Sequence, residues 1–471
     1  MANSNSKTPS HAARDDGGYR HPPGFRMRRG RNWFFLGLTY ASYYLYRYNL
    51  GIISVQFKEA FGFSNTEYGA IQSARNFAYA IGQFVNGLFT DRLGGKQAMT
   101  LGAIGTIVLN LAFGFTAWSN ISWLFFALLL IRMADGYAQA FGAPGMVKIN
   151  TAWFRRQERG TFAGIFGGMI NLGQMAVNWL GKLLAVGFSI PLIFYTITVP
   201  TLDWRYMFIV PPVITFIVIL VMNATVTNHP EEAGFSIVHD DETAGDDPHE
   251  QIRLADVFRR ITANPVVWIV AGAYFCTGFV RTAIIDWWLI YMDEEWRLGL
   301  LDSLVSYTAV FGLPFLATLG SFGAGIISDK YVGGRRAPVA TVLYFAQVVF
   351  ILLALMLATG SIPGTAGLAT MFILGIHTGC NATHSILGTA AAMDLGGRKM
   401  AGFAAGVIDS FQYYGAMLAG FGLGALIDRM GANTAGGSTF HATTWFAAML
   451  PFGVLGTALM GYLWYRHRGT N

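Results

Sequence analysis

Long apolar runs recur along this chain, separated by short segments rich in Gly, Pro and charge. A helix rises roughly 1.5 Å per residue, so about twenty apolar residues cross the ~30 Å hydrocarbon core of a bilayer. Twelve stretches meet that length, near 33–55, 67–90, 97–117, 121–147, 161–187, 206–226, 265–292, 304–328, 337–358, 364–393, 400–427 and 442–465. The pattern predicts an all-α membrane protein with twelve transmembrane helices. One long polar interruption divides the spans six and six. The expected organisation is a tail at 1–31, a first six-helix bundle at 32–227, a linker at 228–264, a second bundle at 265–466 and a short tail at 467–471.

The two halves repeat. Gly87-Leu-Phe-Thr-Asp91-Arg92-Leu-Gly-Gly-Lys96 follows the second run, and Gly325-Ile-Ile-Ser-Asp329-Lys330-Tyr-Val-Gly-Gly-Arg335-Arg336 follows the eighth, 238 positions later. Arg47 and Arg281, each deep within an apolar run, are 234 positions apart. Nearly constant register predicts two pseudo-symmetric bundles with a path at their interface. In each motif the leading glycine (Gly87, Gly325) is expected to allow close helix approach. The aspartate (Asp91, Asp329) is expected to accept from helix N–H groups or a basic neighbour such as Arg92 or Lys330.

Composition supports the membrane assignment: 53% of the 471 residues are hydrophobic and 12% charged, with a mean hydropathy of +0.43. A soluble domain carries about twice that charged fraction. The net charge of +6 does not point to nucleic acid, because the positive residues form short clusters between apolar runs instead of one basic face. These clusters fall on alternate loops, which predicts that both termini and the 228–264 linker are cytoplasmic. The first 31 residues lack an apolar core and read as a tail, not a signal peptide. Within the linker an acidic run spans Asp240 to Glu250, and Ile252 to Arg260 has the pattern of a short surface helix. Cys276 and Cys380 both lie inside apolar runs, so no disulfide framework, metal cluster or cofactor is expected.

Arginine at the bilayer centre costs about 3 kcal/mol on insertion scales and marks a functional site by default. A guanidinium cannot shed its charge, and its planar fork of donors suits a phosphoryl group. Arg47 lies within Tyr43-Tyr44-Leu45-Tyr46-Arg47-Tyr48-Asn49. That segment, Ala78-Tyr79-Ala80, Trp153-Phe154 with Glu158-Arg159-Gly160, Asn171-Leu172-Gly173, Arg281 with Asp286-Trp287, Ser328-Asp329-Lys330, Gly334 to Pro338 and Ala401-Gly402 to Gly415 resemble the major facilitator superfamily. Within it the resemblance narrows to the organophosphate:phosphate antiporter family, which includes glycerol-phosphate and hexose-phosphate transporters and a hexose-phosphate sensor. The resemblance implies a secondary transporter in a bacterial inner membrane. It would carry a phosphorylated small anion in exchange for inorganic phosphate, with Arg47 and Arg281 binding the phosphoryl group from opposite halves.

The departures are specific. Lysines common in the family are replaced by Tyr48 and Gln83, a histidine of the glycerol-phosphate branch by Ile170, and a common glutamate by Ala309. Arg75, two turns from Gln83 on the same helix face, either replaces the missing lysine charge or is a snorkelling vestibule arginine. Tyr44, Tyr48, Tyr79, Gln139 and His384 are further substrate-site candidates. Arg132 and Asp135 are three apart and suit a structural or gating ion pair. Asp286 fits a structural or outer-gate role. His384 and Asp409, in adjacent spans, suit a proton-sensitive pair. That pair and the missing lysines keep a proton-coupled symporter of an organic carboxylate or phosphonate in view, alongside a transporter-like sugar-phosphate sensor. The expected partners are a small anion and membrane lipid, the expected state is a monomer, and an enzyme is not expected.

Overall fold

In the computed structural model, residues 21–154, 159–191, 196–235, 259, 263–391, 406–431 and 440–466 are described. Among them the helices form twelve antiparallel passages, numbered here as spans 1 to 12. Span 1 runs Phe25–Arg47, Asn49–Ile52 and Ser54–Phe61; span 2 Asn65–Leu93; span 3 Gly95–Thr116; span 4 Leu124–Gln139 and Gly142–Trp153; span 5 Arg159–Val186. Span 6 is a 3-10 turn, Trp204–Phe208, leading into Val210–Thr225. Span 7 is Pro265–Trp296, span 8 covers 303–331, span 9 is Arg336–Ala358, span 10 covers 366–391, span 11 covers 406–431 and span 12 is Ala442–Arg466. Among the described residues seven helices are long and apolar enough to cross a membrane by length and composition.

Local chemistry sets the starts. Ser64 and Glu67 form a reciprocal capping box at span 2, satisfying two N–H groups that a helix start leaves open. The Asn264 side chain accepts from the Val266 N–H, with Pro265 at the first helical position of span 7. Span 1 begins at Phe25, eight residues before the expected start. Phe25 stacks on Trp153 (5.7 Å) and meets Phe235 edge-on (5.5 Å), so the end of the expected tail is helix pinned by an aromatic cluster. The same span breaks at Tyr48. There the Asn49 carboxamide oxygen accepts from the Leu50 N–H (2.8 Å) and competes with the helical ladder. A second departure is an antiparallel strand pair, Phe188–Pro191 with Thr196–Val199, between spans 5 and 6. The acidic run and the Ile252–Arg260 segment lie outside the described residues.

Span 7 is the centre of the fold: 78% of its most apolar window is buried, against 33% for spans 8, 9 and 12. The outer spans present Phe126, Val213, Ile217, Phe315, Val342 and Phe345, all more than half exposed. Apolar exposure on this scale suits lipid, not water. Gly87 and Gly325 do not carry the expected close approach. A Cβ at either would meet nothing within 4 Å, because the ends of spans 2 and 8 stand clear of neighbours there. The tight crossings fall elsewhere: a methyl at Gly69 or Gly420 would strike the opposing backbone of spans 11 and 2. Asp91 and Asp329 are helical, while Arg92 and Lys330 are exposed.

An even number of passages leaves Phe25 and Arg466 on one face. The halves are fastened at the other. Asp428, near the end of span 11, accepts from the Asn65 N–H (3.1 Å) and carboxamide (2.8 Å) and from the Thr66 N–H (2.7 Å) and hydroxyl (2.6 Å). A carboxylate capping a helix N-terminus also meets the positive end of its dipole. Lys58 pairs with Glu294 (3.5 Å), and Ser73 bridges the Met417 carbonyl and the Phe421 N–H. Cross-half hydrogen bonds continue to mid-depth, where Ser410 meets the Ala80 carbonyl (3.2 Å) and Asn171 meets Thr318 (2.7 Å).

Asp428→Ala is expected to remove about 1–3 kcal/mol, the cost of leaving buried donors unpaired. It is also expected to speed maleimide labelling of a cysteine placed at Ser73, measured by gel shift. Unchanged labelling and stability would show that the clasp does not hold this face closed.

Candidate functional site

Arg47 and Arg281 come from spans 1 and 7 and line one cavity at the interface of the halves. They are 5% and 8% exposed. Among the described residues no carboxylate lies within the 4 Å of an ion pair from either. Each is held instead by neutral oxygens in a matching arrangement. Arg47 donates from Nε to Gln139 Oε1 in its own half (3.5 Å) and from Nη1 to the Tyr413 hydroxyl in the other half (3.4 Å). Arg281 donates from Nε to Asn381 Oδ1 in its own half (3.2 Å) and from Nη2 to the Tyr48 hydroxyl in the other (2.9 Å). Arg47 Nη2 is buried without a partner. The guanidinium of Arg47 also lies over the rings of Tyr44 and Tyr79, 4.6 Å from each centroid, which places the negative ring faces against the cation.

The amides that orient these arginines are themselves anchored. Gln139 donates to Asp135 (2.9 Å), and Asn381 meets His377 Nε2 (3.1 Å), each four residues earlier on its helix. Gln139 and Asn381 are 242 positions apart, as are Asp135 and His377. The repeat therefore places equivalent supports under both arginines with different residues. An arginine offers only donors, so Asn381 turns its oxygen to Arg281 and its NH2 to His377. The NH2 also donates to the His377 carbonyl (2.9 Å). Asn381, His377 and Tyr413 carry site geometry that reading the sequence alone did not assign. The repeat register from Gln139 points to Asn381; no signal singled out Tyr413.

Other expected residues divide clearly. Arg132 and Asp135 form the buried ion pair (3.2 Å), and Arg132 also donates to the Tyr46 carbonyl (3.1 Å) and Asn49 (3.2 Å). The pair thus ties span 4 to the break in span 1, behind the cavity. Arg75 is not a snorkelling residue: it is 6% exposed, donates to the Arg47 carbonyl and to Asn76 Oδ1 (2.8 Å), and lines the cavity. Gln83, standing where the family carries lysine, donates to the Tyr79 hydroxyl (2.9 Å). Tyr79 in turn packs on Tyr413, with ring centroids 4.3 Å apart. Asp286 lines the cavity, its carbonyl accepting from Tyr68 (3.1 Å).

His384 and Asp409 do not form the expected pair. His384 Nδ1 is 2.6 Å from the Tyr274 hydroxyl and its ring stacks on that tyrosine, because span 7 lies nearer to this part of span 10 than Asp409 does. Asp409 lies one turn before Tyr413 on span 11, within electrostatic reach of Arg47 and Arg281. The cavity volume is only about 20 Å³, room for roughly one water. In this arrangement the cavity is too small for an organic anion.

This fold and this central site belong to a transport protein. The model of the Major Facilitator Superfamily matches residues 36–420, and the chain belongs to that superfamily; it is not an enzyme. Over most of its length it is similar to the glycerol-3-phosphate transporter of Bacillus subtilis (strain 168), with 27% identity over 419 residues, 86% of this chain and 88% of that one. It is also similar to the membrane sensor protein UhpC of Salmonella typhimurium, with 26% identity over 403 residues, 83% of this chain and 84% of that one. The probable hexose phosphate transport protein of Chlamydia pneumoniae is 25% identical over 424 residues, 86% of this chain and 87% of that one. A crystal structure of a bacterial homologue of the human lysosomal transporter Spinster, inward-facing and unoccupied, shares the fold. Its TM-score is 0.68 at 18% identity, covering 93% of this chain and 95% of that chain.

Asp135→Ala is expected to cost about 3–5 kcal/mol by leaving Arg132 buried and unpaired. Arg132→Met combined with Asp135→Leu is expected to recover most of it. Thermal unfolding of the purified single and double variants measures the difference. A double variant no more stable than the single one would contradict the structural assignment.

Proposed function

We propose that this chain is a secondary transporter that carries a phosphorylated small organic anion across a bacterial inner membrane, exchanging it for inorganic phosphate by alternating access. One observation carries this reading: two buried arginines, one from each half, face a shared cavity and, among the described residues, are held by neutral oxygens only. An oxyanion makes stronger, charge-assisted hydrogen bonds to a guanidinium than a tyrosine hydroxyl does. A phosphoryl group therefore displaces Tyr413 from Arg47 and Tyr48 from Arg281. The empty Nη2 of Arg47 is a further donor for it.

The cycle follows from where the halves touch. The Asp428 clasp closes one face, and separation of the halves at the other admits the anion. With the anion bound to both arginines, the cations no longer repel and the halves draw together, which favours passage through the closed state. The exchanged anion must restore the same balance before the site can return, and this couples the two fluxes. The positive residues flanking the spans support cytoplasmic termini, which puts the clasp at the periplasmic face in this reading. The two bundles, 32–227 and 265–466, are the moving bodies, with 228–264 as their tether. Similarity to organophosphate transporters over more than four-fifths of the chain supports the substrate class.

Similarity to the sensor UhpC favours a second reading, a receptor that binds the same anion without moving it. Flux through purified protein in liposomes separates the two. Arg47→Lys and Arg281→Lys keep the charge but lose the fork. Each is expected to lower phosphate exchange by at least about ten- to a hundredfold, the loss of a charge-assisted contact, with thermal unfolding unchanged. Normal exchange in both variants would sink the transport site, and binding without flux in the wild type would assign a receptor.

A further inference from the structure

Arg75 is a third guanidinium at this site, and the phosphoryl contact of Arg47 and Arg281 leaves it without a task. It lines the same cavity, together with Asn76, Thr282, Asp286 and Gln412. Elsewhere in this fold a buried arginine is quenched by its own carboxylate, as Arg132 is by Asp135. Arg75 is equally enclosed but touches only neutral oxygens, the Arg47 carbonyl and Asn76 Oδ1. Among the described residues no carboxylate comes within 4 Å of it. Asp286, on the wall of the same cavity, lies beyond ion-pair distance of Arg75 but within its electrostatic reach, and its Oδ2 is buried with no hydrogen-bond partner.

The backbone holds Arg75 in place. Gly136 of span 4 packs so closely that a methyl there would strike the Arg75 carbonyl. Arg75 precedes Tyr79 by four residues, on the side of span 2 that starts at the clasp. Asp286 follows Arg281 by five, on the side of span 7 that ends there. A cation and a carboxylate that face one cavity without closing into an ion pair thus stand beyond the arginine pair, toward the closed end. A ligand whose phosphoryl group sits between Arg47 and Arg281 points its other end at them.

Taking the phosphoryl-binding reading above as its basis, we propose that the substrate is a small phosphomonoester bearing a carboxylate, which Arg75 binds while Arg47 and Arg281 hold the phosphoryl group. The unsatisfied oxygen of Asp286 accepts from a hydroxyl or ammonium beside that carboxylate. Arg75 is then the residue that sets specificity. A substrate lacking the carboxylate leaves a desolvated guanidinium facing an alcohol, a mismatch that discriminates strongly in a closed site.

The test uses the full purified chain and three probes: inorganic phosphate, glycerol 3-phosphate and 3-phosphoglycerate, the last two differing in a hydroxymethyl group against a carboxylate. Calorimetric titration is expected to show 3-phosphoglycerate binding about ten- to a hundredfold more tightly than glycerol 3-phosphate, the fold-change of one charge-assisted hydrogen bond. In Arg75→Gln the ratio of the two affinities is expected to fall toward one, and in Arg75→Lys to recover in part. Equal affinities in the wild type, or a ratio that Arg75→Gln leaves unmoved, would overturn the carboxylate assignment while phosphate binding keeps the underlying site. Failure of all three probes to bind would overturn both. Should Arg75→Gln not fold, the wild-type ratio and Arg75→Lys still decide.

Discussion

Two permanent cations deep in apolar spans, each without a carboxylate at ion-pair distance among the described residues, are the constraint around which this molecule is arranged. Their repulsion opposes the contact of the halves, and burial opposes both. The fold meets this with neutral dipoles: one amide oxygen from the same half and one tyrosine hydroxyl from the other for each guanidinium, with aromatic faces beneath Arg47. Such partners hold the side chains in position without cancelling their charge. A carboxylate in the same place would cancel that charge.

The supports extend outward in layers. Gln139 is fixed by Asp135, and Asp135 by Arg132 and Asn110; Asn381 is fixed by His377. The paired carboxylate of the first half thus sits one residue removed from Arg47, where it orients without neutralising. At the far end, one carboxylate, Asp428, receives four hydrogen bonds from the start of span 2. This clasp fastens the halves at one face.

Span topology and the arginine pair were legible because both rest on local or repeated signals. Apolar run length counts the passages, and the 234- and 238-position register marks the halves. Errors arose where a partner belongs to another helix. Gly87 and Gly325 read as packing glycines, yet which glycines meet a neighbour depends on how the halves are tilted, and Gly69 and Gly420 meet instead. His384 and Asp409 lie in adjacent spans, but Tyr274, remote in sequence, is nearer to the imidazole. The break in span 1 was hidden because an asparagine in an apolar run gives no sign of whether its side chain will bind its own backbone.

Sequence alone determined the membrane class, the twelve passages, the repeat and the depth of Arg47 and Arg281, since each follows from the solvent demanded by a stretch of about twenty residues. The resemblance to a family of phosphate-ester carriers also needed no coordinates. Only the tertiary structure decided which groups quench a charge and which merely hold it. Arg132 and Arg75 are both arginines buried in apolar spans, and the chain alone does not say that one is paired and the other not. That distinction depends on distances of a few ångströms between helices far apart in sequence, and with it goes the charge that the cavity offers to a ligand.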